Sequence, residues 1–393
     1  MQLSDFDFEL PQELIAQHPI EPRDHSRLLV CDLTANSVGD EPSLVVSHQY
    51  FYDLPNLLNH NDVLIFNDSK VLPVRVLGTR ADTKGRVEML LLRPVPKEEG
   101  GEAHAYAPGF TADWYVLLKL TSKIFKGMVL KFGPVDCSLE VVVQSSDDDR
   151  RNRDGETRVS IRCLTSHSPH YQSAMESLEV WLQYYGEVPL PHYIAASNSD
   201  LVKTPEMKQQ YQTVYAKTPG SAAAPTAGFH FTSGLLQKLC EKNIDTGFVT
   251  LHVGVGTFRP VKTESILDHK MHTEYYEITE TLIQLLRRAE HDGRRVVAVG
   301  TTTVRALESH KNKFPNLEDW TPGIYATNIF IYPSYEFQIV DDLITNFHLP
   351  KSSLLMLVAA RMGYKNTISV YKTAVEQRYR FFSFGDAMFI RFR

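Results

Sequence analysis

Cysteine is scarce in this chain. Four occur in 393 residues (Cys31, Cys137, Cys163 and Cys240), and no two form a C-x-x-C pair. That scatter speaks against a zinc knuckle, a dithiol redox motif and a disulfide framework. Long apolar runs are missing as well: stretches such as Leu354–Ala360 fall far short of the ~20 residues that span a bilayer. The start, MQLSDFDFEL, lacks the basic residues and apolar block of a secretion signal. A cytoplasmic protein is expected. Positive charge is not in excess, with 41 Lys and Arg against 47 Asp and Glu, a formal net charge of −6. Phosphate contacts need Lys and Arg, so any nucleic-acid binding must use a local basic face. Basic clusters occur at Lys70–Arg86, Lys119–Lys131, Arg287–Arg295 and Arg378–Arg393. There is no internal repeat and no low-complexity tract. A hydrophobic content of 43% and a charged content of 22% are those of a soluble globular protein.

The texture of the chain changes twice. The opening is extended, with prolines limiting helix. From Val71 to about Cys163 short β-branched runs alternate with Gly, Pro, Asp and Lys, the pattern of a small barrel or sandwich. The charged run DDDRRNRDGE within Ser145–Glu156 reads as a solvated loop. After about Leu178 strands and helices alternate. Helices are predicted at Leu235–Lys242, Thr279–His291, Val304–His310, Ser352–Met362 and Ile368–Arg378. Strands are predicted at Gly247–Val253, Arg295–Gly300, Tyr325–Ile331 and Leu343–Phe347. Such alternation implies parallel strands covered by helices. The fold class is therefore α/β: a β/α barrel-like or open main domain (residues 1–69 and 179–393) with an inserted small β-barrel domain (residues 70–178).

What stands out is YQTVYAKTPGSAAAPTAGFHFT, Tyr211 to Thr232. From Gly220 to Gly228 it carries no large side chain, although packed cores need bulk. Small residues in a row suggest backbone held close to something else, with Gly220 and Gly228 permitting unusual angles. A surface linker would share the composition, but the flanks Tyr211, Tyr215, Phe229 and His230 do not suit one.

Several polar segments follow predicted strands, the edge where α/β folds bind ligands. In Thr250–Pro260, Gly254 and Gly256 bring backbone amides close, and Thr257 and Arg259 supply donors; a lone Gly-x-Gly is weak evidence. In Arg295–Glu308, Thr301, Thr302 and Thr303 would cap a helix whose free amides suit a carboxylate or phosphate. Arg305 would pair with an anion, or else with Glu308. His269, His272 and Glu274 have a metal-ligand spacing, with a hydrogen-bonded acid–base pair as the preferred alternative. In Asp341–Met356, Asp342, Asn346 and His348 would orient hydroxyls or an amine, before a helix capped by Ser352 or Ser353. Asn67, Asp68 and Lys70 sit at the junction of the two expected domains.

Together these segments resemble one family, the S-adenosylmethionine:tRNA ribosyltransferase-isomerases of queuosine synthesis. The matching stretches are Phe66–Arg75, Tyr211–Thr232, Thr250–Val261, His269–Glu274, Thr301–Glu308, Thr345–Val358 and Tyr379–Ile390 (YRFFSFGDAMFI), in the family's order. The chain departs at His192, where proline is usual, and at Ala359-Ala-Arg-Met-Gly. Arg361 there would tune substrate contacts. The resemblance implies transfer of the ribosyl part of S-adenosylmethionine to a 7-aminomethyl-7-deazaguanine in tRNA. That part is rearranged to give epoxyqueuosine, and adenine and methionine are released. It implies S-adenosylmethionine as co-substrate, no prosthetic group, no metal, and a tRNA anticodon stem-loop as partner to a monomer. On that footing His252 and His272 are candidate proton-transfer groups, with Glu274 orienting His272 or binding ribose hydroxyls. Thr226, Gly228 and His230 would wall the nucleoside. Gly254, Thr257, Thr301 and Thr302 would line the site, and Arg259 and Arg305 would hold the methionine carboxylate or a phosphate. Asp342, Asn346 and His348 would bind hydroxyls or a base edge, and Lys70 and Arg75 the tRNA backbone.

Overall fold

The structure, a computed structural model, describes residues 1–35, 42–95, 103–104, 111–135, 137–145, 155–165, 178–189, 205–254 and 263–392. They form two compact units. One comprises Met1–Lys70, Gln209–Thr218 and Ala224–Arg393; the other comprises Val71–Lys208 and Pro219–Ala223. Among the described residues no helix is long and apolar enough to cross a membrane.

The strands in chain order are β1 (Arg27–Thr34), β2 (Ser43–Tyr50), β3 (Val63–Asn67), β4 (Ser69–Val71), β5 (Arg75–Arg80), β6 (Arg86–Pro94), β7 (Ala103–His104), β8 (Thr111–Lys119) and β9 (Val129–Phe132). They continue as β10 (Cys137–Val143), β11 (Thr157–Thr165), β12 (Thr218–Ser221), β13 (Asp245–His252), β14 (Glu274–Ile278), β15 (Val296–Val299), β16 (Gly323–Thr327), β17 (Asp342–Asn346) and β18 (Ala387–Phe392). The helices named below are α1 (Ser233–Glu241), α2 (Glu280–His291), α3 (Thr301–Lys313), α4 (Ser353–Met362) and α5 (Tyr364–Glu376).

The first unit is built on a nine-stranded sheet in the order β16-β14-β13-β3-β15-β17-β18-β1-β2. Its centre is parallel: β13 and β15 flank β3, and β17 follows β15. β3, β15 and β17 are buried at every residue, as strands covered on both faces are. The rest is mixed, so the parallel strands implied by the alternation make up the centre of the sheet and not its flanks. β18 runs antiparallel to β17 and parallel to β1, while β14, β16 and β2 are antiparallel to their neighbours. Of the two forms expected for the main domain the sheet takes the open one, with β16 and β2 as its edges. One apolar cluster joins Phe66, Val297, Ile344 and Phe389 of the sheet to Leu235 and Leu239 of α1 and to Phe231. Thr232, Thr279 and Ser352 cap α1, α2 and α4, each accepting a hydrogen bond from the amide three residues on.

In the second unit β5, β6, β8, β11, β10 and β9 pair in a ring, every pairing antiparallel, and so close a six-stranded barrel. Val76, Met89, Val116, Leu130, Val141 and Ile161 fill it. The alternation along β6 sends every second side chain inward.

Candidate functional site at the carboxyl ends of the central strands

Four parallel strands deliver polar groups to one edge of the main sheet. β13 runs on into Val253, β3 ends at Asn67, β15 runs into Gly300, and β17 ends at Thr345 and Asn346. Around these ends lies a hollow of about 50 Å³. Its walls are Ala224–Ala227, the Gly300–Thr302 turn, the Thr345–His348 strand end, Val253, Leu354 and the Phe382–Ser383 turn. The small-residue segment thus forms one wall. Gly228 lies just behind it, where a Cβ would sit 1.9 Å from Tyr215 Oη and 2.8 Å from Thr213 Cγ2. The close approach expected of that segment is made to the protein's own side chains.

A buried relay runs back from this wall. Thr226 Oγ1 donates to Asn346 Oδ1 at 2.9 Å, which orients the amide. Asn346 Nδ2 then faces His230 Nε2 at 3.0 Å and donates to it. His230 therefore carries its proton on Nδ1 and gives it to Ser26 Oγ at 2.7 Å. The imidazole also stacks on Phe51 at 4.9 Å. Burial, with the charges of Arg380 and Arg23 added, pushes its pKa down to about 3. His348 is likewise held neutral by burial, at about 3. Its Nε2 lies 3.0 Å from Thr345 Oγ1, and its backbone amide donates to Tyr371 Oη. Both rings are hydrogen-bonding groups at neutral pH and carry no charge.

The start of α3 differs from expectation. Gly300, at φ 88°, occupies the cap position with no side-chain cap bond, and the threonines lie inside the helix. Thr303 Oγ1 donates back to the Val299 carbonyl, and Thr302 Oγ1 accepts from Asn67 Nδ2. No threonine caps, so among the described residues the first amides of a 13-residue helix stay uncovered by side chains at the hollow. Asn67 also exchanges two bonds with the Leu251 backbone and so clamps β3 to β13. Opposite, Phe382 adopts φ 76°, strained for a bulky residue by roughly 1–3 kcal/mol. Its amide donates to the Phe347 carbonyl, which holds the turn against the hollow.

The remaining sequence candidates are placed elsewhere. Glu274 pairs with Arg305, each at most 4% exposed, and its other oxygen accepts from the Gly254 amide at 3.1 Å. Arg305 is thus paired with Glu274, and the alternative pairing to Glu308 is not made. Glu308 instead accepts from Tyr335 Oη and the amides of Gln338, Ile339 and Val340. Among the described residues Arg305 Nη2 is buried without a partner. His252 ends β13 next to Val253, with Nδ1 buried and unpartnered. Burial lowers its pKa and the charge of Asp68 opposes that shift. His269 packs on Phe330, and His272 beside it is half-buried; neither lines the hollow. Among the described residues no three His, Cys, Asp or Glu side chains gather as a metal site.

Asp342 is a correction. It starts β17, at the opposite sheet edge, 2.9 Å from Arg295 Nη1 and accepting from the Phe392 amide. Burial raises its pKa to about 6 against the pull of Arg295. Arg361, over Phe392 and Phe337, is also outside the hollow. Arg75 is clamped between Glu88 and Glu187 and offers no free guanidinium, while Lys70 is half-buried on β4. Thr257 and Arg259 lie outside the described residues. Of the expected site residues, Thr226, Thr301, Thr302, Asn346 and His348 meet in one wall, with His230 behind. Sequence reasoning missed Ser26 and the Phe382 turn. Only the local string Arg380-Phe-Phe-Ser-Phe-Gly pointed to the latter.

A family model described as queuosine biosynthesis protein matches residues 3–390. An S-adenosylmethionine:tRNA ribosyltransferase-isomerase of Clostridioides difficile (strain 630) is 42% identical over 391 residues, covering 100% of both chains. The protein of the same name from Clostridium kluyveri (strain ATCC 8527) matches with the same identity and coverage. A crystal structure of S-adenosylmethionine tRNA ribosyltransferase from Thermotoga maritima is 31% identical, covers 98% of this chain and 100% of its own, and superposes with a TM-score of 0.48. With its sequence matched from end to end, the chain belongs to the family of queuosine biosynthesis proteins.

Proposed function

We propose that this protein transfers and isomerises the ribosyl moiety of S-adenosylmethionine onto 7-aminomethyl-7-deazaguanine in tRNA. The products are epoxyqueuosine in tRNA, adenine and methionine. The observation that carries this reading is the full-length match to relatives bearing that name. The polar hollow at the strand ends supports it. The reaction belongs in the cytoplasm, with the chain as a monomer, S-adenosylmethionine as co-substrate and no prosthetic group.

The chemistry sets the requirements. A sulfonium acidifies the carbon beside it and later departs, so the protein needs a base, an acid for adenine, and fixed positions for both substrates. The uncovered amides at the start of α3 suit the methionine carboxylate. Thr226 and Asn346 offer an acceptor and a donor to a base edge or ribose hydroxyl, and His348 with Thr345 offers another such pair. The hollow of about 50 Å³ is well below the ~300–1,000 Å³ of ordinary ligand sites, so it takes one end of S-adenosylmethionine only. Among the proton-transfer candidates, His252 has its pKa lowered by burial and precedes the wall residue Val253, but does not itself line the hollow. His272 is the second candidate. Glu274 acts by holding Arg305 and the Gly254 amide. Lys70 remains a candidate contact to the RNA backbone; Arg75, held by two carboxylates, does not.

The test is incubation of the purified protein with S-adenosylmethionine and an anticodon stem-loop carrying the aminomethyl base, followed by nucleoside mass analysis. Adenine release with the mass gain of epoxyqueuosine is expected. Absence of both from an intact, folded sample refutes the reading. Stoichiometric bound zinc with hydrolysis would favour a metal-dependent hydrolase instead.

A further inference from the structure

The barrel unit gathers two basic clusters that are far apart in sequence. β5 and β6 are joined by the turn Ala81–Gly85, and the chain from β8 to β9 crosses the same end of the barrel. Arg80 ties the two together: its Nη1 donates to Ser122 Oγ at 2.6 Å, and its guanidinium lies 5.7 Å from the Phe125 ring. The register places Arg86, Thr79 and Lys131 on one rung across three strands, and Lys119 faces Glu88 two rungs on. Residues opposite one another on neighbouring strands share a face. Lys84, Arg86, Lys119, Lys123, Lys126 and Lys131 are all exposed. Among the described residues none of these six meets a carboxylate in an ion pair. The acids nearby are Asp82, paired with Arg80; Glu88, paired with Arg75; and Glu140, which faces Lys131 across β10. Between the lysines stands Phe125, 49% exposed.

We infer that this end of the barrel is an RNA-docking surface: the six cations neutralise backbone phosphates, and Phe125 stacks on an unpaired base. This inference rests on the reading of tRNA as substrate. Net charge is −6, so the protein as a whole repels a polyanion, and one unneutralised basic end decides where it lands. An exposed aromatic among phosphate-binding cations is the arrangement that grips single-stranded loops. A membrane surface would use the cations but gives a lone flat aromatic no stacking partner.

The experiment measures binding of a fluorescein-labelled anticodon stem-loop RNA by the full chain between 50 and 200 mM salt. Lys84→Gln, Arg86→Gln and Lys131→Gln are combined in one variant, and Lys123→Gln and Lys126→Gln in a second, so that no single fold failure decides. Three lost phosphate contacts lower the slope of log affinity against log salt by about 2–3, so across this range the wild type loses about 20- to 40-fold more affinity than the first variant. Phe125→Ala weakens binding roughly tenfold with the slope unchanged. The control, Arg288→Gln with Lys372→Gln on the other unit, binds as wild type. Unchanged slopes in both barrel variants, or an equal loss in the control, overturn the inference. So does capture by phosphatidylserine vesicles that the same substitutions abolish while RNA binding stays. Adenine release from S-adenosylmethionine at saturating modified RNA and low salt is scored separately. Release with unchanged slopes sinks the surface alone; weakened RNA binding without any release in the wild type sinks the proposed reaction and leaves the surface standing.

Discussion

Asn346→Asp tests the relay that shapes the hollow. In the native site Asn346 Nδ2 donates to the bare Nε2 of His230 at 3.0 Å, with both side chains at most 4% exposed. An aspartate has the same shape but no hydrogen to give, so two acceptors would meet without water. A proton taken from solution repairs the contact with Ser26 still accepting from Nδ1; the rival repair, without proton uptake, is a switch of the neutral ring to its Nε2–H tautomer with Ser26 Oγ donating to Nδ1. The unfolded chain offers a histidine with a pKa of about 6.5. At pH 8 the protonation therefore costs about 2 kcal/mol, at 1.36 kcal/mol per unit, before any cost of burying the resulting ion pair. The sign follows from linkage. The folded variant binds its proton with a pKa raised above the unfolded value. The stabilisation is then fully present below about pH 6.5 and lost as pH rises through the folded pKa. In the wild type His230, at about 3, is neutral in the folded state throughout; the unfolded histidine titrates alike in both proteins, so its proton uptake near pH 6 cancels from the gap. Urea midpoints at pH 6, 7 and 8 should show the gap between variant and wild type widening by up to about 1.4 kcal/mol per unit. The variant also loses a donor in the hollow and gains negative charge near the proposed carboxylate site. We expect kcat/KM for S-adenosylmethionine to fall by roughly tenfold or more, one charge-linked hydrogen bond's worth, with RNA affinity intact. A gap that stays flat from pH 6 to 8 would refute proton uptake and show that the neutral ring switches tautomer instead, with Ser26 Oγ donating to Nδ1.

Much of this fold was legible in sequence because its central strands are short, mostly apolar runs. Val296–Val299 and Leu343–Phe347 could hardly be anything else. Among the strands that escaped, two have a diluted pattern, while β1 and β18 are apolar and buried and escaped all the same. β2, Ser-Leu-Val-Val-Ser-His-Gln-Tyr, is an edge strand with half its side chains wet. β14 opens on Glu274, a charge made tolerable in the interior by Arg305, 31 residues later. The polar segments of the site could be found because small and polar residues directly follow apolar strands. Their pairings could not. Arg305 has Glu308 one turn away in sequence, yet the loop at Gln338–Val340 supplies Glu308 with three amides, leaving Arg305 to Glu274. Ser26 and His230 lie 204 residues apart, and no local periodicity links them. Asp342 looked like a site residue because it begins the right strand. But a strand has two ends, and ligands in such sheets bind at the carboxyl end.

Three further outcomes follow from the same geometry. Gly228→Ala drives a methyl group into Tyr215 Oη and should destabilise the protein by about 1–3 kcal/mol or more; an unchanged thermal midpoint would contradict the packing. Glu274→Gln leaves the Arg305 charge buried and unpaired, and should cost about 3–5 kcal/mol by denaturant titration. Arg305→Met in the same chain should restore part of it. The last concerns acid. His230 and His348 at about 3, and His310 at about 4, are all held neutral by burial. Above about pH 6.5 neither the folded nor the unfolded chain carries these protons; below it only the unfolded chain does, so stability is lost as pH falls. At pH 5 each histidine weighs against folding by about 2 kcal/mol. Asp342 opposes them. Its folded pKa of about 6 lies above the unfolded value, so its contribution returns as pH falls through 6 and offsets about 1.4 kcal/mol at pH 5. The net loss between pH 7 and 5 is then about 4–5 kcal/mol, a large part of the roughly 5–15 kcal/mol that holds a domain folded. His310→Leu should remove about 2 kcal/mol of that loss; it also forfeits the contact of Nδ1 with Tyr276 Oη at 3.1 Å, a cost that is the same at both pH values. Urea midpoints that do not move between pH 7 and 5, in wild type and His310→Leu alike, would show that these imidazoles take up protons in the folded state after all.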